Sequence, residues 1–486
     1  MTRAFAVAAA LLLASARAYG QAAPPAPHED AAFDFMNLLS DHGLHNLNDE
    51  DWNVYGQFTY ITSFKVPFSA PYTNANGAPN SFSPDYERSF TGTFTLFFGV
   101  KLWKGAEAYV APEVIAEHAL SQLRGLGGAT ENFELQKTGT TTPAVYRSRL
   151  FLRQTFDLGG TTSIRVSDPL QLGGPVDSRR LVITAGNFSV IDVFDKNNVT
   201  WDPRQTFFDE AFMTHSSYDF PADARGYTYG VAAELYWDDW AVRLGRFLPP
   251  VEPNQQSNDF HFWERYGDSL EIEHDHTLLG QPGAVRLLGY RNHVLSGRFD
   301  DAIAAFEADP SKNAGDCPAG SYNYGSGDFN APDLCWVRKP NVKLGIGLNA
   351  EQYVAKNVGL FLRAMYSDGQ SEVDAFDSAD SDLSFGAVAK GTLWGRPFDV
   401  TGIGMQVTAI SKEHARYLAV GGIDNFVGDG ALGRQRAEGV AEAFYSVNIA
   451  KAVWLAADFQ LIWNPAYNGD RPGPIYIPAV KVHGEF

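Results

Sequence analysis

The sequence predicts an all-β protein: a transmembrane antiparallel β-barrel of about 16 strands, with short periplasmic turns and long extracellular loops. Three observations predict it. From Trp52 to Phe486 the side chains alternate with period two, the mark of strands whose two faces differ. Short connections alternate with long polar ones along the chain. On strand after strand the polar face gathers Arg, Lys, Asp and Glu of both signs with glycines between, as the wall of a wet lumen would.

Composition agrees. A chain of 486 residues suits two or three soluble domains or one large barrel. Aromatics make up 13%, and Gly (46) far outnumbers Met (5) and Cys (2), a balance that suits β structure. A net charge of −19 counts against a nucleic-acid partner, because phosphate binding needs clustered Lys and Arg.

Three regions follow. Residues 1–20 read as a signal peptide, with Arg3 as its charged start, Ala4 to Ala14 as its apolar stretch, and cleavage after Ala18 or Gly20. This places the chain outside the cytoplasm. Elsewhere no apolar run reaches the roughly 20 residues that a spanning helix needs. Residues 21–51 form an N-terminal periplasmic or plug segment, in which Phe33, Met36, Leu39 and Leu44 line a short helix stopped by Gly43; a disordered leader is the alternative. Residues 52–486 are the barrel.

Within the barrel the strands begin with WNVYGQFTYITSF, SFTGTFTLFFGVKL, AEAYVAPEVIAE, VYRSRLFLRQTFDL and RRLVITAGNFS. RGYTYGVAAELYW, WAVRLGRFL, YGDSLEIEHDH, AVRLLGYRNHV and NVKLGIGLNAEQYV follow. VGLFLRAMYSDG, SDLSFGAVAKGTLW, DVTGIGMQVTAIS, AEGVAEAFYSVNI, AVWLAADFQLIWN and the terminal IYIPAVKVHGEF complete the set. Turns such as Lys104-Gly105, Asp238-Asp239 and Gly395-Arg396-Pro397 alternate with the long stretches 67–87, 117–143, 190–224, 293–339 and 411–434. The connection 159–178 departs from the pattern, being long on the turn side.

Alternation assigns the faces. In VYRSRLFLRQTF it groups Arg147, Arg149, Phe151 and Arg153 toward the lumen, and Tyr146, Leu150, Leu152 and Phe156 toward lipid. Gln460 and Asp458 oppose Leu461 and Phe459, and Lys343, Asn349 and Glu351 oppose Val342, Leu344 and Ile346. Trp103, Tyr236, Trp237, Trp240, Trp394, Trp454 and Trp463, near strand ends, fit interfacial girdles.

The stretch containing AGNFSVIDVFDKN, DPRQTFFDEAF, DARGYTYG and a W-x-x-R-x-G strand resembles the carbohydrate-selective outer-membrane porins of the OprB type. ADFQLIWNPAYN near the end is similar to the family's closing motif, although Ala466 stands where the family commonly has Gly. The resemblance implies passive diffusion of mono- or oligosaccharides across the bacterial outer membrane, a homotrimer, and a C-terminal Phe presented to the assembly machinery. A general non-selective porin is the alternative.

Sugars pair with carboxylates, amides and guanidinium groups through their hydroxyls and lay C–H faces on aromatic rings. Wall residues Arg147, Arg149 and Arg153 are candidates by facing, with Glu271 and Glu442 as opposing acids on other strands. Asp192, Asp195, Asn197, Trp201, Asp202, Arg204, Phe207 and Asp209 would narrow the lumen if their loop folds inward; equally, the Asp and Asn residues could cap turns in an external loop. Cys317 and Cys335 share one long loop, and a disulfide is the default outside the cytoplasm. Neither metal nor cofactor is expected. Ligand spacing is absent around the cysteines, His274 and His276 read as solvated, and DAFDSADSD lacks a calcium-loop register. A barrel enzyme would need a converging Ser, His and acid, and the sequence offers neither that set nor a G-x-S-x-G elbow.

Overall fold

In the computed structural model, which describes residues 35–136, 139–200, 202–325 and 327–486, sixteen strands close into one antiparallel barrel. They are β1 (Trp52–Lys65), β2 (Glu87–Trp103), β3 (Ala106–His118), β4 (Ala144–Asp157), β7 (Arg179–Phe188), β8 (Thr228–Trp237), β9 (Trp240–Phe247) and β10 (Tyr266–Leu278). β11 (Gln281–Ser296), β12 (Lys339–Ala355), β13 (Val358–Ser367), β14 (Ser381–Lys390), β15 (Val400–Ala409), β16 (Glu438–Ala450), β17 (Val453–Trp463) and β18 (Ile475–Glu485) complete the wall. Short strands β5 (Thr162–Arg165) and β6 (Gly174–Asp177) form a separate hairpin in the connection between β4 and β7. The signal peptide and most of the leader lie outside the described residues.

Closure joins β1 to β18, with Gln57 opposite Glu485 and Ser63 opposite Ala479. The seam continues one residue further. Phe486 and Gly56 exchange two backbone hydrogen bonds of 2.9 Å, and the Phe486 ring lies where any Gly56 Cβ would sit. Lipid offers no hydrogen bonds, so a spanning sheet must pair its edges with each other.

The expected facing holds on β12 and β17. Lys343, Asn349 and Glu351 are buried inside, while Val342, Leu344 and Ile346 are exposed outside. Asp458 and Gln460 point in, Leu455 and Phe459 out. Trp52, Trp103, Trp237, Trp240 and Trp394 form an exposed girdle at the turn end. Tyr236 and Trp454 do not belong to it. Tyr236 turns inward and donates to Glu234 (2.6 Å), and Trp454, buried, donates Nε1–H to the Phe398 carbonyl (3.1 Å).

β4 departs from simple alternation. Its pairing with β3 sets Arg149 opposite Ala111 but Arg147 opposite Pro112, so Ser148 is an extra, bulged residue. The bulge exchanges the faces on its loop-end side. Arg147 is therefore not a lumen residue: it is exposed on the outer surface, where Nη2 donates to Tyr229 Oη at 2.7 Å. Tyr146 points inward instead of to lipid and donates to the Glu113 carboxylate. β14 also ends earlier than its sequence pattern, because Gly391–Trp394 form a 3-10 turn.

Outside the barrel, helices Phe299–Ala308 and Lys412–Ala419 pack together, with Phe299 stacked on His414 at 4.3 Å. Cys317 and Cys335 are bonded in the same external layer (S–S 2.05 Å). A second, internal layer lies inside the barrel. Loops fold back into the lumen and pack on it, so many inward side chains are dry. Phe207, Phe212, Phe361 and Phe444 form one such cluster, and Phe188, Phe194, Phe247 and Tyr290 belong to another.

The outer face should reject charge. Leu287, exposed outside near the middle of β11, should tolerate Met, whereas Leu287→Arg should cost roughly 2–4 kcal/mol at the bilayer midplane. Folding yield into vesicles, read by band shift without heating, measures this; equal yields would place Leu287 out of contact with lipid.

Candidate functional site

Between β7 and β8, residues 189–200 and 202–227 enter the barrel. The segment is too apolar to remain outside: Val190, Phe194, Phe207, Phe208 and Phe212 are almost fully buried. Phe207 packs against Phe212 (4.5 Å), Phe444 (5.0 Å) and Phe361 (5.6 Å). A backbone taken from water must still find partners. Carboxylates on the wall supply them. Glu271 accepts from Asp195 N (2.8 Å), Glu351 from Asn198 N, Glu442 from Phe208 N (2.5 Å) and Asp209 N (3.0 Å), and Asp382 from Ser217 N (2.9 Å). Lys481 of the closing strand donates to the carbonyls of Pro203 (2.7 Å) and Thr206 (3.0 Å).

A second segment, 119–136, enters beside it. Glu438 accepts from the amides of Gly127 (2.9 Å), Gly128 (2.7 Å) and Ala129 (3.1 Å). Gly128 approaches the wall so closely that a Cβ would strike the Thr408 side chain. Asp209 Oδ1 accepts from Thr130 N (3.1 Å), tying the two segments together.

Most of the candidates in this region are therefore anchors. Asp195 binds Arg363 (3.2 Å), Asn349 (2.6 Å) and Thr214 (2.9 Å); Asn197 donates to Asn349 (2.8 Å). Burial works against the Asp195 charge, but Arg363 and His215 outweigh it and hold its pKa below the ordinary value. Asp209 accepts from Ala211 N (2.9 Å), and burial together with Glu442 pushes its carboxyl well up. Glu271 pairs with Arg243 (2.8 Å). These groups and Phe207 are buried, so none presents its side chain to water. Trp201 lies outside the described residues.

A different set stays wet. Arg149 grips Asp192 with two bonds of 2.8 and 2.7 Å, the two side chains being 16% and 18% exposed. The pair replaces the expected bonds from Arg149 to Glu271 or Glu442. Burial would raise the Asp192 carboxyl, but Arg149 prevails and lowers it. Arg153 is 19% and Arg204 22% exposed, whereas Arg363 is fully covered. Arg204 faces Glu134 at 3.3 Å, and half-buried Asp202 accepts from its backbone amide (3.0 Å). Beneath each guanidinium lies a ring: Tyr227 under Arg149 (5.0 Å), Tyr109 under Arg153 (5.3 Å) and Phe133 under Arg204 (5.4 Å). The cations thus run along one side of the lumen, between β3, β4 and the inserted segment.

At the turn end the β5–β6 hairpin folds across the mouth. Arg165 binds the Glu107 carboxylate, Arg153 donates to Leu170 O (2.8 Å), and Tyr109 donates to Glu107 (2.7 Å) while accepting from Leu172 N (2.9 Å). The N-terminal segment covers it. Its helix, Phe35–Asp41, buries Met36 against Tyr55, Phe97 and Ala111, and Glu50 accepts from Gly173 N (2.6 Å) and contacts His45 (2.9 Å). Arg165 and Tyr227 were not among the sequence candidates. The only sequence signal for Arg165 is the unusual length of its connection; for Tyr227 it is the DARGYTYG motif.

A search of curated protein sequences finds no match. Residues 93–486 match the family described as "Carbohydrate-selective porin, OprB family". Among solved structures, the high-pH form of Pseudomonas putida OprB is similar with a TM-score of 0.66 at 14% identity, covering 93% of this chain and 96% of that one. The outer-membrane channel DcaP of Acinetobacter baumannii gives a TM-score of 0.48 at 9% identity, covering 91% of this chain and all of that one (100%). The first likeness supports the fold, and the family match covers most of the barrel. The chain belongs to the OprB family of carbohydrate-selective porins: it is an outer-membrane β-barrel channel for sugars.

Proposed function

We propose that sugars cross by passive diffusion along the strip between the β3–β4 wall and the inserted segment, in contact with Arg149, Arg153, Asp192, Asp202 and Arg204. One observation carries this reading: these three cations keep partial exposure above aromatic rings, while the carboxylates that anchor the segment, Asp195, Asp209, Glu271 and Glu442, are sealed. A guanidinium fork matches vicinal hydroxyls, and the ring below it takes a sugar's C–H face. Asp192 and Asp202 accept hydroxyl protons on the other side. The strip exchanges water for fixed partners without covalent chemistry, so the same surface serves neutral polyols of several lengths. The homotrimer in outer-membrane lipid is carried over from the family resemblance.

Arg149→Ala should leave the barrel intact and free the Asp192 carboxylate. Reversal potentials in a salt gradient should shift toward cations. The half-blocking concentration of a glucose-type sugar should rise severalfold, on the order of 1 kcal/mol for a half-wet charged hydrogen bond. Arg147→Ala, on the outer surface, should change neither quantity. Equal effects of the two substitutions would remove the strip from the path.

The β5–β6 hairpin narrows the same route at its turn end. Replacing residues 161–177 by a short Gly-Ser turn should raise single-channel conductance and weaken sugar block less than Arg149→Ala does. Unchanged conductance would mean that ions pass the mouth elsewhere.

A further inference from the structure

The outer surface carries a feature that transport does not use. Between β8 and β12, at the loop end, a groove of about 730 Å³ is open to lipid. Its walls are apolar and include Val231, Leu244, Leu270 and Ile346. Its floor is Gly289, where an added Cβ would meet nothing nearer than a backbone oxygen at 3.9 Å. The space exists because β11 presents no side chain there.

The rim is charged. Arg246 holds Asp268 with two bonds (2.7 and 2.8 Å), and the Tyr266 ring lies 3.7 Å below Arg246 and 5.6 Å from Arg291. Arg291 is exposed; Asp268 lies opposite it across the β10–β11 pair but is held by Arg246, and no carboxylate among the described residues forms an ion pair with Arg291. Two cations and one anion leave a net positive charge above a slot of hydrocarbon width, at the outer-leaflet end of the wall. A second outward groove of about 580 Å³, along Ala387, Ile403, Ala443 and Phe459, has no charged outward side chain in its lining.

We propose that the β8–β12 groove binds a phosphorylated glycolipid of the outer leaflet, with an acyl chain in the slot and a phosphate on Arg291 and Arg246. Charge complementarity selects this occupant. An uncharged lipid would leave Arg246 and Arg291 with the single Asp268 carboxylate between them at the interface, whereas a phosphate supplies the second counter-ion where a basic side chain can hold it. Arg246, kept in place by Asp268 and Tyr266, offers its remaining donor edge to the same anion.

The test uses the purified full-length protein in detergent and native mass spectrometry with diphosphorylated lipid A, compared with its dephosphorylated form. The wild type should retain one lipid A per barrel and little of the dephosphorylated lipid. Arg291→Ala should lower the bound fraction about fivefold, the loss of one interfacial cation. Gly289→Leu should lower it by closing the slot, and Ala443→Leu, in the uncharged groove, should not. An unheated SDS gel confirms the barrel in each variant. Because Arg291 is exposed, its variant decides the matter even if Gly289→Leu assembles poorly. Equal retention of the two lipids, or full retention by Arg291→Ala, overturns the proposal. So does a photo-crosslinker at Leu344 that joins a second copy of the chain rather than lipid, since the groove would then be an interface between barrels.

Discussion

Everything inside this barrel depends on backbone amides that have left water. Two segments, one of residues 119–136 and one of residues 189–200 and 202–227, are inserted into the lumen, and their N–H groups need acceptors there. Glu271, Glu351, Asp382, Glu438 and Glu442 provide them from the wall. A carboxylate suits the task because it can take two or more N–H donors at once. The surplus of acids in the composition is thus partly structural. Arg243, Arg286 and Arg363 stand among these acids and balance the charge that burial would otherwise make costly.

Lumen charges therefore fall into two populations with different duties. The sealed population fixes the position of the inserted segment. The partly exposed one, which includes Arg149, Arg153 and Arg204 with Asp192 and Asp202, lines the proposed path. Precision in the second follows from rigidity in the first. Asp192 sits in a short turn, and its carboxylate also accepts from Ser189 N at 2.9 Å, so Arg149 meets an acid that cannot swing away. Pre-positioned donors hold hydroxyls at little entropic cost, which favours quick binding and quick release.

The strands, the closure and the outer face were legible in the sequence because all three rest on period-two alternation. Strand facing became illegible where the period broke. The bulge at Ser148 is marked only by Pro112 on the facing strand, which has no N–H to give to the ladder, and past it Tyr146 and Arg147 exchange sides. Alternation also says which way a side chain points but not what fills the space beyond. Glu271 and Glu442 point inward as expected, yet they meet amides instead of solute. Trp454 and Tyr236 had the composition of girdle residues but the parity of lumen residues, and parity decided their place. The unusual length of the 159–178 connection was the visible trace of the hairpin at the mouth.

The wall recognises the inserted segment chiefly through its main chain, and that has an evolutionary consequence. Glu442 reads two amides and Glu438 reads three in a row, and an amide is nearly the same whatever side chain follows it. Side chains on the wet edge can then drift by point mutation without unseating the loop. The barrel acts as a socket and the loop as an insert held by its main chain. Related channels could diverge in solute preference while keeping the socket, and substitutions at the socket would be purged as assembly defects before selection on transport could see them.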